Sequence, residues 1–256
     1  MTTFAHYPSL EGRVVFISGG TTGIGTSFVE QFHAQGAKVG FIGRNAEAAK
    51  ELLAKIATTS KRPPPLFMAC DVTDIAALRA AIAQTRAAFG PIGALVNNAA
   101  NDQRHKVEEV TPEFWDQCMA VNLRHQFFAA QAVVDDMVKL GAGSIINLGS
   151  ISWMIKGAGY PAYATTKAAI HGLTRSLAKD LGKRNIRVNT LVPGWVMTDK
   201  QLRMWVTPES EKEIDANQCL PGRLMSDDIA QMALFLAADD SRMCTASDFV
   251  VDAGWS

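Results

Sequence analysis

The sequence has no excess of charge of either sign. Lysine plus arginine equals aspartate plus glutamate, at 25 each in 256 residues. It therefore lacks the strong basic field that would attract nucleic acid or an anionic membrane surface. We accordingly expect no nucleic acid and no membrane among the partners.

Paired cysteines and long apolar runs are also missing. The four cysteines, Cys70, Cys118, Cys219 and Cys244, are widely spaced and form no CxxC pair, which is typical of free thiols in a reducing compartment. No run approaches the roughly 20 continuous apolar residues that span a bilayer. The first residues, MTTFAHYPSLEGR, do not have the charged and then apolar regions of a signal peptide. We expect a soluble, cytoplasmic protein.

Metal-binding patterns are absent as well. None of the five histidines has an obvious ligand partner, and HExxH does not occur. We therefore expect no metal site.

What the sequence does contain is an alternation of short β-rich apolar runs with helix-length segments. One helix is indicated by Ile24, Phe28 and Phe32 at i, i+4 and i+8, with Gly36 as its stop. Such alternation predicts βαβ units and a parallel sheet buried on both faces, in a doubly wound α/β, Rossmann-like fold. We expect a single domain over residues 1–256. Its seven predicted strands are 14–18, 38–42, 66–70, 94–98, 144–148, 187–192 and 248–252.

Residues 195–222 are less regular than the rest. They carry two tryptophans, two prolines and mixed charge, and they lie between the sixth predicted strand and the last helix. We interpret this segment as a substrate lid over the ends of the strands.

A glycine-rich turn, SGGTTGIG (18–25), follows the first predicted strand. Gly19, Gly23 and Gly25 are placed where the chain must turn sharply into a helix, and glycine allows both positive φ and the close approach of a pyrophosphate. The GxxxGxG spacing differs from the GxGxxG dinucleotide fingerprint, and a glycine turn alone is weak evidence. Its place at the first βα turn favours nucleotide binding.

Two of the three tyrosines lie in GYPAYATTK (159–167). Pro161 disfavours helical geometry at Tyr160 and suits the first turn of a helix, so a helix is predicted to begin near Pro161. Tyr163 and Lys167 then share one helix face. The ammonium of Lys167 would lower the pKa of Tyr163 from about 10 and allow Tyr163, rather than Tyr160, to accept a proton. A pair of this kind, taken alone, is usually a solvated helix face.

Ser150 ends the fifth predicted strand, at the edge where open α/β sheets bind ligands. Its hydroxyl can hold a reacting oxygen, although a serine there is usually a strand-end cap.

Seven motifs in chain order resemble the short-chain dehydrogenase/reductase family, from about residue 12 to the C-terminus. They are SGGTTGIG, CDV (70–72), NNAA (97–100), Asn122, Ser150, YATTK (163–167) and PGWVMT (193–198). Ala100 stands where the family usually has glycine.

The resemblance implies a nicotinamide cofactor and a catalytic set. In that set Ser150 orients the substrate oxygen, Tyr163 is the acid/base, Lys167 also binds the nicotinamide ribose, and Asn122 takes part in a water-mediated proton relay. The implied cofactor contacts, besides Tyr163 and Lys167, are Gly19, Thr22, Gly23, Ile24, Gly25, Arg44, Asn45, Asp71, Val72, Asn98, Pro193, Val196 and Thr198. Asp71 has an alternative role as a helix N-cap, which Thr73 or Asp74 would fill better.

The second predicted strand ends in FIGRN (41–45). Gly43 occupies the position where NAD-using members of the family carry an acid, and Arg44 can grip a 2′-phosphate in a bidentate manner. We predict a moderate preference for NADP, with NAD as the alternative. Otherwise Arg44 is a solvated loop residue.

The substrate side is indicated by NDQRHK (101–106) and by several tryptophans downstream. Dense hydrogen-bonding groups and flat aromatic faces suit a polyhydroxylated ligand, although a solvated loop with core tryptophans would look the same. YPSL, NDQRHK, VNLRH, GSISW, QCLPGR and DAGW resemble the bacterial sugar 1-dehydrogenases, D-xylose dehydrogenases among them. This implies oxidation of an aldose at its anomeric carbon to a lactone. The expected sugar contacts are Asn101, Asp102, Ser150, Trp153, Tyr163 and Trp195.

Two other functions remain open at this point. A 3-oxoacyl thioester reductase would share the catalytic set but would normally want a basic docking surface, which a net charge near zero does not favour. A non-catalytic binding protein would have no use for Ser150, Tyr163 and Lys167 together.

The resemblance also implies a homotetramer, paired through helices near 111–139 and 161–183 and through the C-terminal DFVVDAGWS.

Overall fold

A seven-stranded parallel sheet forms the centre of the structure, a computed structural model that describes residues 4–256. Its strands are β1 (Val14–Ser18), β2 (Lys38–Gly43), β3 (Leu66–Ala69), β4 (Ala94–Asn97), β5 (Gly143–Leu148), β6 (Ile186–Pro193) and β7 (Asp248–Val251). They lie in the order β3-β2-β1-β4-β5-β6-β7, and every neighbouring pair is parallel. The predicted doubly wound α/β fold is confirmed, and each strand lies where the sequence predicts it, to within a residue at either end. The parts of the single-domain and signal-peptide predictions that concern residues 1–3 lie outside the described residues.

Helices connect the strands and cover both faces of the sheet. They are α1 (Ile24–Ala34), α2 (Ala46–Thr59), α3 (Ile75–Phe89), α4 (Pro112–Met119), α5 (His125–Leu140), α6 (Pro161–Leu181), α7 (Asp199–Met204), α8 (Pro208–Asn217) and α9 (Ser226–Ala237). Phe28 and Phe32 of α1 are fully buried, as the i, i+4 spacing predicts. The helix ends at Ala34, and Gly36 follows with φ +85°, a conformation that glycine adopts without strain.

The two faces of the sheet carry separate hydrophobic cores. Apolar side chains of α1, α2 and α9 form one of them, and those of α3, α5 and α6 form the other. Because both faces are covered, the central strands are mostly apolar, and all five residues of β1 are buried.

The chain reverses its direction of winding between β1 and β4, which are neighbours in the sheet. The connections after these two strands run to opposite sides, and this leaves a crevice at the carboxyl ends of the strands. The glycine-rich turn after β1 and the polar loop after β4 both lie at this crevice.

A chain of buried polar side chains joins the strands behind the crevice. Asn97 donates to Asn147 (Nδ2 to Oδ1, 2.9 Å), Asn147 donates to Thr174 (3.0 Å), and Thr190 donates to Thr174 (3.0 Å). All four are fully buried. Buried polar groups that satisfy one another in this way fix the register of β4, β5 and β6 against α6.

The segment interpreted as a lid contains the two short helices α7 and α8. Thr198 caps α7, and Thr207 forms a capping box at the start of α8. Within residues 4–256, none of the helices combines the length and the apolar character needed to cross a membrane.

Candidate active site

A cavity of about 880 Å³ opens at the carboxyl ends of the strands. Most of the predicted cofactor contacts line it: Gly19, Thr22, Ile24, Arg44, Asn45, Asp71, Val72, Asn98, Tyr163, Lys167, Pro193, Val196 and Thr198. Four of the predicted substrate contacts also line it: Asp102, Ser150, Tyr163 and Trp195. Gly23, Gly25, Asn101, Asn122 and Trp153 lie outside this lining. The structure thus brings residues from six βα connections into one site.

The glycine turn is packed too closely to accept side chains. A Cβ atom at Gly25 would lie 1.9 Å from the carbonyl oxygen of Gly19, and Gly19 itself has φ +69°. Asn98 braces the turn from β4, because its Nδ2 donates to the Gly19 oxygen at 2.8 Å. Gly23, with φ +60°, precedes α1, and no side chain among residues 4–256 caps its first turn. Backbone donors at such a helix start fit the diphosphate of a dinucleotide.

Close packing at the end of β2 leaves no space for a carboxylate side chain at Gly43. A Cβ at Gly43 would lie 2.5 Å from Thr21, whose side chain fills the space. Arg44 lies next to the cavity with its side chain 75% exposed, and its Nη1 is 3.7 Å from Oδ2 of Asp71. Asn45 caps α2, accepting from the Ala48 N–H at 3.0 Å. In the part of the chain that the structure describes, a weak, exposed ion pair alone therefore holds the guanidinium near the cavity mouth.

Asp71 is bound within the turn after β3. Its Oδ1 accepts from the backbone N–H of Thr73 at 2.9 Å and from the Thr73 hydroxyl at 2.8 Å. These bonds, with the charge of Arg44, hold the pKa of Asp71 below its usual value. Asp74, not Asp71, caps α3, accepting from Ala77 N–H at 2.9 Å, as the sequence predicts.

Helix α6 begins at Pro161, and Tyr160 before it is outside the helical region, with φ −156° and ψ 48°. This confirms the boundary that separates the two tyrosines. Tyr163 and Lys167 face the cavity from the first two turns, and the Lys167 Nζ lies 5.5 Å from the centre of the Tyr163 ring. Nζ also donates to the carbonyl oxygen of Leu148, at the end of β5, at 2.7 Å. Only 1% of Lys167 is exposed.

The pKa of Tyr163 is raised, which is opposite to the direction expected from the neighbouring lysine. Burial is the largest cause, followed by the negative charge of Asp102, while the Ser150 hydroxyl acts in the other direction. Burial also lowers the pKa of Lys167 to about 7. The prediction from spacing was wrong here because loss of solvent disfavours the charged form of both groups.

Asn122 lies in a single π-helical turn (120–124) between α4 and α5. Its Nδ2 donates to the Cys118 carbonyl at 3.0 Å, and its Oδ1 accepts from the Asn101 backbone N–H at 2.7 Å. The side chain of Asn122 therefore holds the start of the polar loop after β4. Extra residues in π-turns are common at functional sites.

The two tryptophans predicted to contact sugar differ in position. Trp195 lines the cavity, donates from Nε1 to Oε1 of Gln201 at 3.0 Å, and packs near Trp255. Trp153 lies beside the cavity, and its Nε1 donates to Nε2 of His171 at 3.1 Å. Because that donor is already used, Trp153 has only a partly exposed ring face to offer a ligand.

Sequence reasoning missed the lid residues that contact the polar loop. Lys200, on α7, contacts Oδ1 of Asp102 through Nζ, and the Gln201 Nε2 donates to Oδ2 of Asp102 at 2.7 Å. Both line the cavity. A lysine and a glutamine in the first turn of a short helix carry no signal that would tie them to residue 102.

Arg104 was also missed. Its guanidinium lies 4.4 Å from the centre of the Tyr160 ring and 5.0 Å from that of Trp205, so it is stacked between the two. Its Nε has no hydrogen-bond partner within residues 4–256. Arg104 thus joins the loop after β4 to the lid and to the segment before α6.

A doubly wound parallel sheet with an uncapped glycine turn and a buried tyrosine–lysine pair at its carboxyl edge defines a dinucleotide-dependent oxidoreductase. Comparison with known proteins gives the narrower group. Residues 19–256 match a family model described as enoyl-(acyl carrier protein) reductase. The D-xylose 1-dehydrogenase of Caulobacter vibrioides is 44% identical over 251 residues, which is 98% of each chain. A probable galactose dehydrogenase, GalD, of Rhizobium meliloti is 43% identical over 250 residues, 98% of this chain and 97% of that one.

A solved structure gives the same answer. The short-chain type dehydrogenase/reductase of Mycobacterium ulcerans superimposes with a TM-score of 0.91 at 25% identity, over 96% of this chain and 90% of that one. This chain belongs to the short-chain dehydrogenase/reductase family. It is accordingly an oxidoreductase that acts on a CH–OH group with a nicotinamide cofactor.

Proposed function

We propose that the protein oxidises an aldose at its anomeric carbon to the aldonolactone, with transfer of hydride to a nicotinamide cofactor. The observation that carries the proposal is the polar wall of the cavity formed by Asp102, Lys200 and Gln201, in the same cavity as Tyr163. The similarity to two sugar dehydrogenases supports it. A ligand with hydroxyls on several carbons offers these partly buried polar groups further hydrogen-bond partners.

In this proposal Ser150 and Tyr163 receive the anomeric hydroxyl. Ser150 orients its oxygen, and Tyr163 takes its proton while the hydrogen on the same carbon leaves as hydride, which converts C–OH into the C=O of the lactone. The cofactor, when bound, supplies the hydride acceptor. Asn122 and Lys167 complete the proposed proton path, and Lys167 also binds the cofactor ribose.

Tyr163 needs a lower pKa than burial alone allows in order to accept that proton. Lys167 lies close enough to supply the opposing charge, since its Nζ is 5.5 Å from the ring centre. Burial lowers the pKa of Lys167 to about 7, so the ammonium and the neutral amine are both populated near neutral pH. A phenolate at Tyr163 and an ammonium at Lys167 would then stabilise each other.

The proposed cofactor preference is for NADP over NAD, because Arg44 borders the cavity and Gly43 offers no carboxylate. The proposed sugar contacts are Asn101, Asp102 and Trp195 beside Ser150 and Tyr163, with the ring face of Trp153 at the margin.

The alternative is a 3-oxoacyl thioester reductase, and the matching family model is described by a different reaction of acyl thioesters, the reduction of an enoyl group. An acyl chain, however, would lie against Asp102, Lys200 and Gln201 and would desolvate these polar groups without pairing them. The aldose is therefore the better fit.

The test is a substrate panel followed by the absorbance of the reduced cofactor. D-xylose, L-arabinose, D-galactose, L-fucose and polyols are each assayed with NAD⁺ and NADP⁺. A 3-oxoacyl ester is assayed in the opposite direction, by the loss of absorbance of NADH and NADPH, and the Tyr163→Phe protein is the blank. We expect turnover with at least one aldose and none with the ester. Rapid turnover of the ester without any aldose activity would contradict the proposal.

A further inference from the structure

The short helix α7 is joined to the loop after β4 by one carboxylate. Oδ2 of Asp102 accepts from Gln201 at 2.7 Å, and Oδ1 accepts from the Lys200 ammonium. Lys200 also donates to Oδ1 of Asn101 at 3.3 Å, and Gln201 accepts from Trp195 at 3.0 Å. Three of the proposed sugar contacts are thus tied together by two residues of the lid.

Asp102 is mostly withdrawn from solvent, with 25% of its side chain exposed, while Lys200 is 42% exposed. Burial alone would raise the pKa of Asp102, but the hydrogen bond and charge of Lys200, with the hydrogen bond from Gln201, more than offset burial and lower it. The other ionisable groups that face this carboxylate across the cavity are Tyr160, Tyr163 and Lys167. Arg104 and Glu213, on the loop and on α8, line the same cavity.

A carboxylate has about four lone-pair positions, and Lys200 and Gln201 occupy two of those on Asp102. The remaining two can accept hydrogen bonds from ligand hydroxyls. Bonds to a charged acceptor are roughly twice as strong as bonds between neutral groups, and the protonated acid would lose part of this acceptor capacity. The contribution of Asp102 to the binding of a polyhydroxylated ligand therefore depends on the charge and the orientation of the carboxylate.

We propose that Lys200 is a positioning residue for the sugar site, which through Asp102 holds an oriented, ionised acceptor for the hydroxyls of the aldose. The inference rests on the proposed aldose activity. In this proposal the lid contributes to the affinity for the sugar, because Lys200 binds one carboxylate oxygen of Asp102 and Gln201 binds the other.

The test compares Lys200→Met with Lys200→Arg and with Lys212→Met, a substitution of an exposed lysine on α8. For the aldose that the wild type oxidises best, Lys200→Met should raise KM about ten- to a hundredfold, the range for a lost charge-assisted contact. The value of kcat should change much less, and the cofactor Kd, from quenching of protein fluorescence, should stay within about twofold of wild type. Lys200→Arg should restore most of the affinity, and Lys212→Met should match wild type.

The pH dependence of KM separates positioning from a merely structural role. Asp102 has a lowered pKa while Lys200 is present, so the wild-type KM should rise only well into the acid range. Without the lysine, burial raises the pKa of Asp102, and the rise in KM should begin at a higher pH in Lys200→Met. A lid that is only loosened would raise KM equally at all pH values, and this result would overturn the proposal.

A double-mutant cycle that combines Lys200→Met with Asp102→Asn completes the test. Its conclusion does not depend on the behaviour of a single variant. In the Asp102→Asn background, adding Lys200→Met should change KM by less than about twofold, because the carboxylate is already gone. Independent, multiplying effects would contradict the proposal, and so would a Lys200→Met enzyme with wild-type KM. A wild type that oxidises no aldose would instead overturn the proposed function, so the two failures are distinguishable.

Discussion

Tyr163 and Lys167 are both buried, and burial moves their pKa values in opposite directions. It raises the pKa of the phenol and lowers that of the ammonium to about 7, so each group is pushed toward its neutral form. The two side chains are nevertheless within 5.5 Å, where opposite charges favour each other. We infer that proton transfer at Tyr163 depends on the state of Lys167 as much as on the tyrosine itself.

Replacing Tyr163 by phenylalanine should abolish turnover. The ring still packs in its buried place, but the hydroxyl proposed to accept the proton is removed. Cofactor affinity should change little, because the other cavity contacts remain. The measurement is kcat with the best aldose, together with the cofactor Kd by fluorescence.

Tyr160→Phe is the matched control, since Tyr160 lines the same cavity but precedes α6. Its ring still stacks on Arg104, at 4.4 Å in the wild type, so most activity should remain. If Tyr160→Phe were inactive and Tyr163→Phe active, the assignment of the acid/base residue would be wrong.

At the scale of elements, the end of β2 is the part of the cavity that we propose binds the adenosine end of the cofactor. Thr21, from the glycine turn, fills the space beside Gly43, so the strand cannot present a carboxylate there without rearrangement. Arg44 follows with a largely exposed side chain, and its one ion pair among residues 4–256 is with Asp71 at 3.7 Å. An exposed pair of this kind is weak and can exchange for a bidentate contact to a phosphate.

We therefore expect kcat/KM to be higher with NADP than with NAD. Arg44→Ala should lower kcat/KM for NADP about ten- to a hundredfold, the range for one charge-assisted contact, and should affect NAD little. Lys50→Ala, which removes a positive charge from the following helix α2, is the control and should change neither. A wild-type preference for NAD, or an Arg44→Ala enzyme with undiminished NADP efficiency, would contradict this prediction.

At the scale of the whole molecule, several large apolar side chains lie exposed on helices that are expected to pair subunits. Trp115 on α4 is 39% exposed, and Phe127, Val138 and Leu140 on α5 are 41%, 45% and 48% exposed. Covering such a surface with a second copy would remove apolar area from water. The expectation of a homotetramer, which rests on family resemblance, is consistent with this surface.

Light scattering at micromolar protein should give about four times the chain mass of 27.6 kDa. Phe127→Glu should shift the mass to a smaller species, because a charge would be buried in the subunit contact. Lys139→Glu reverses a charge on the same helix without replacing one of the exposed apolar side chains. It is the control for the effect of the added negative charge alone. A wild-type mass of one chain would exclude the tetramer.

The sequence by itself determined the positions of the strands, the first residue of α6 and the glycine turn at the cavity, because these features depend on local sterics. β-rich apolar runs mark the buried strands, and Pro161 restricts the residue before it. Gly25, after β1, occupies a turn in which a Cβ atom would lie 1.9 Å from the carbonyl oxygen of Gly19. Asp74 likewise caps α3 through a contact three residues away. Interactions between residues this close in the sequence can be predicted from the sequence alone.

Only the tertiary structure decided which polar groups meet in the cavity and which charge state they favour. Lys200 and Asp102 are 98 residues apart, and Arg104 is stacked between rings from two different segments. The raised pKa of Tyr163 follows from burial, which spacing along a helix does not reveal. Desolvation and long-range contacts depend on how the whole chain packs, so these properties of the site could not be predicted from the order of residues alone.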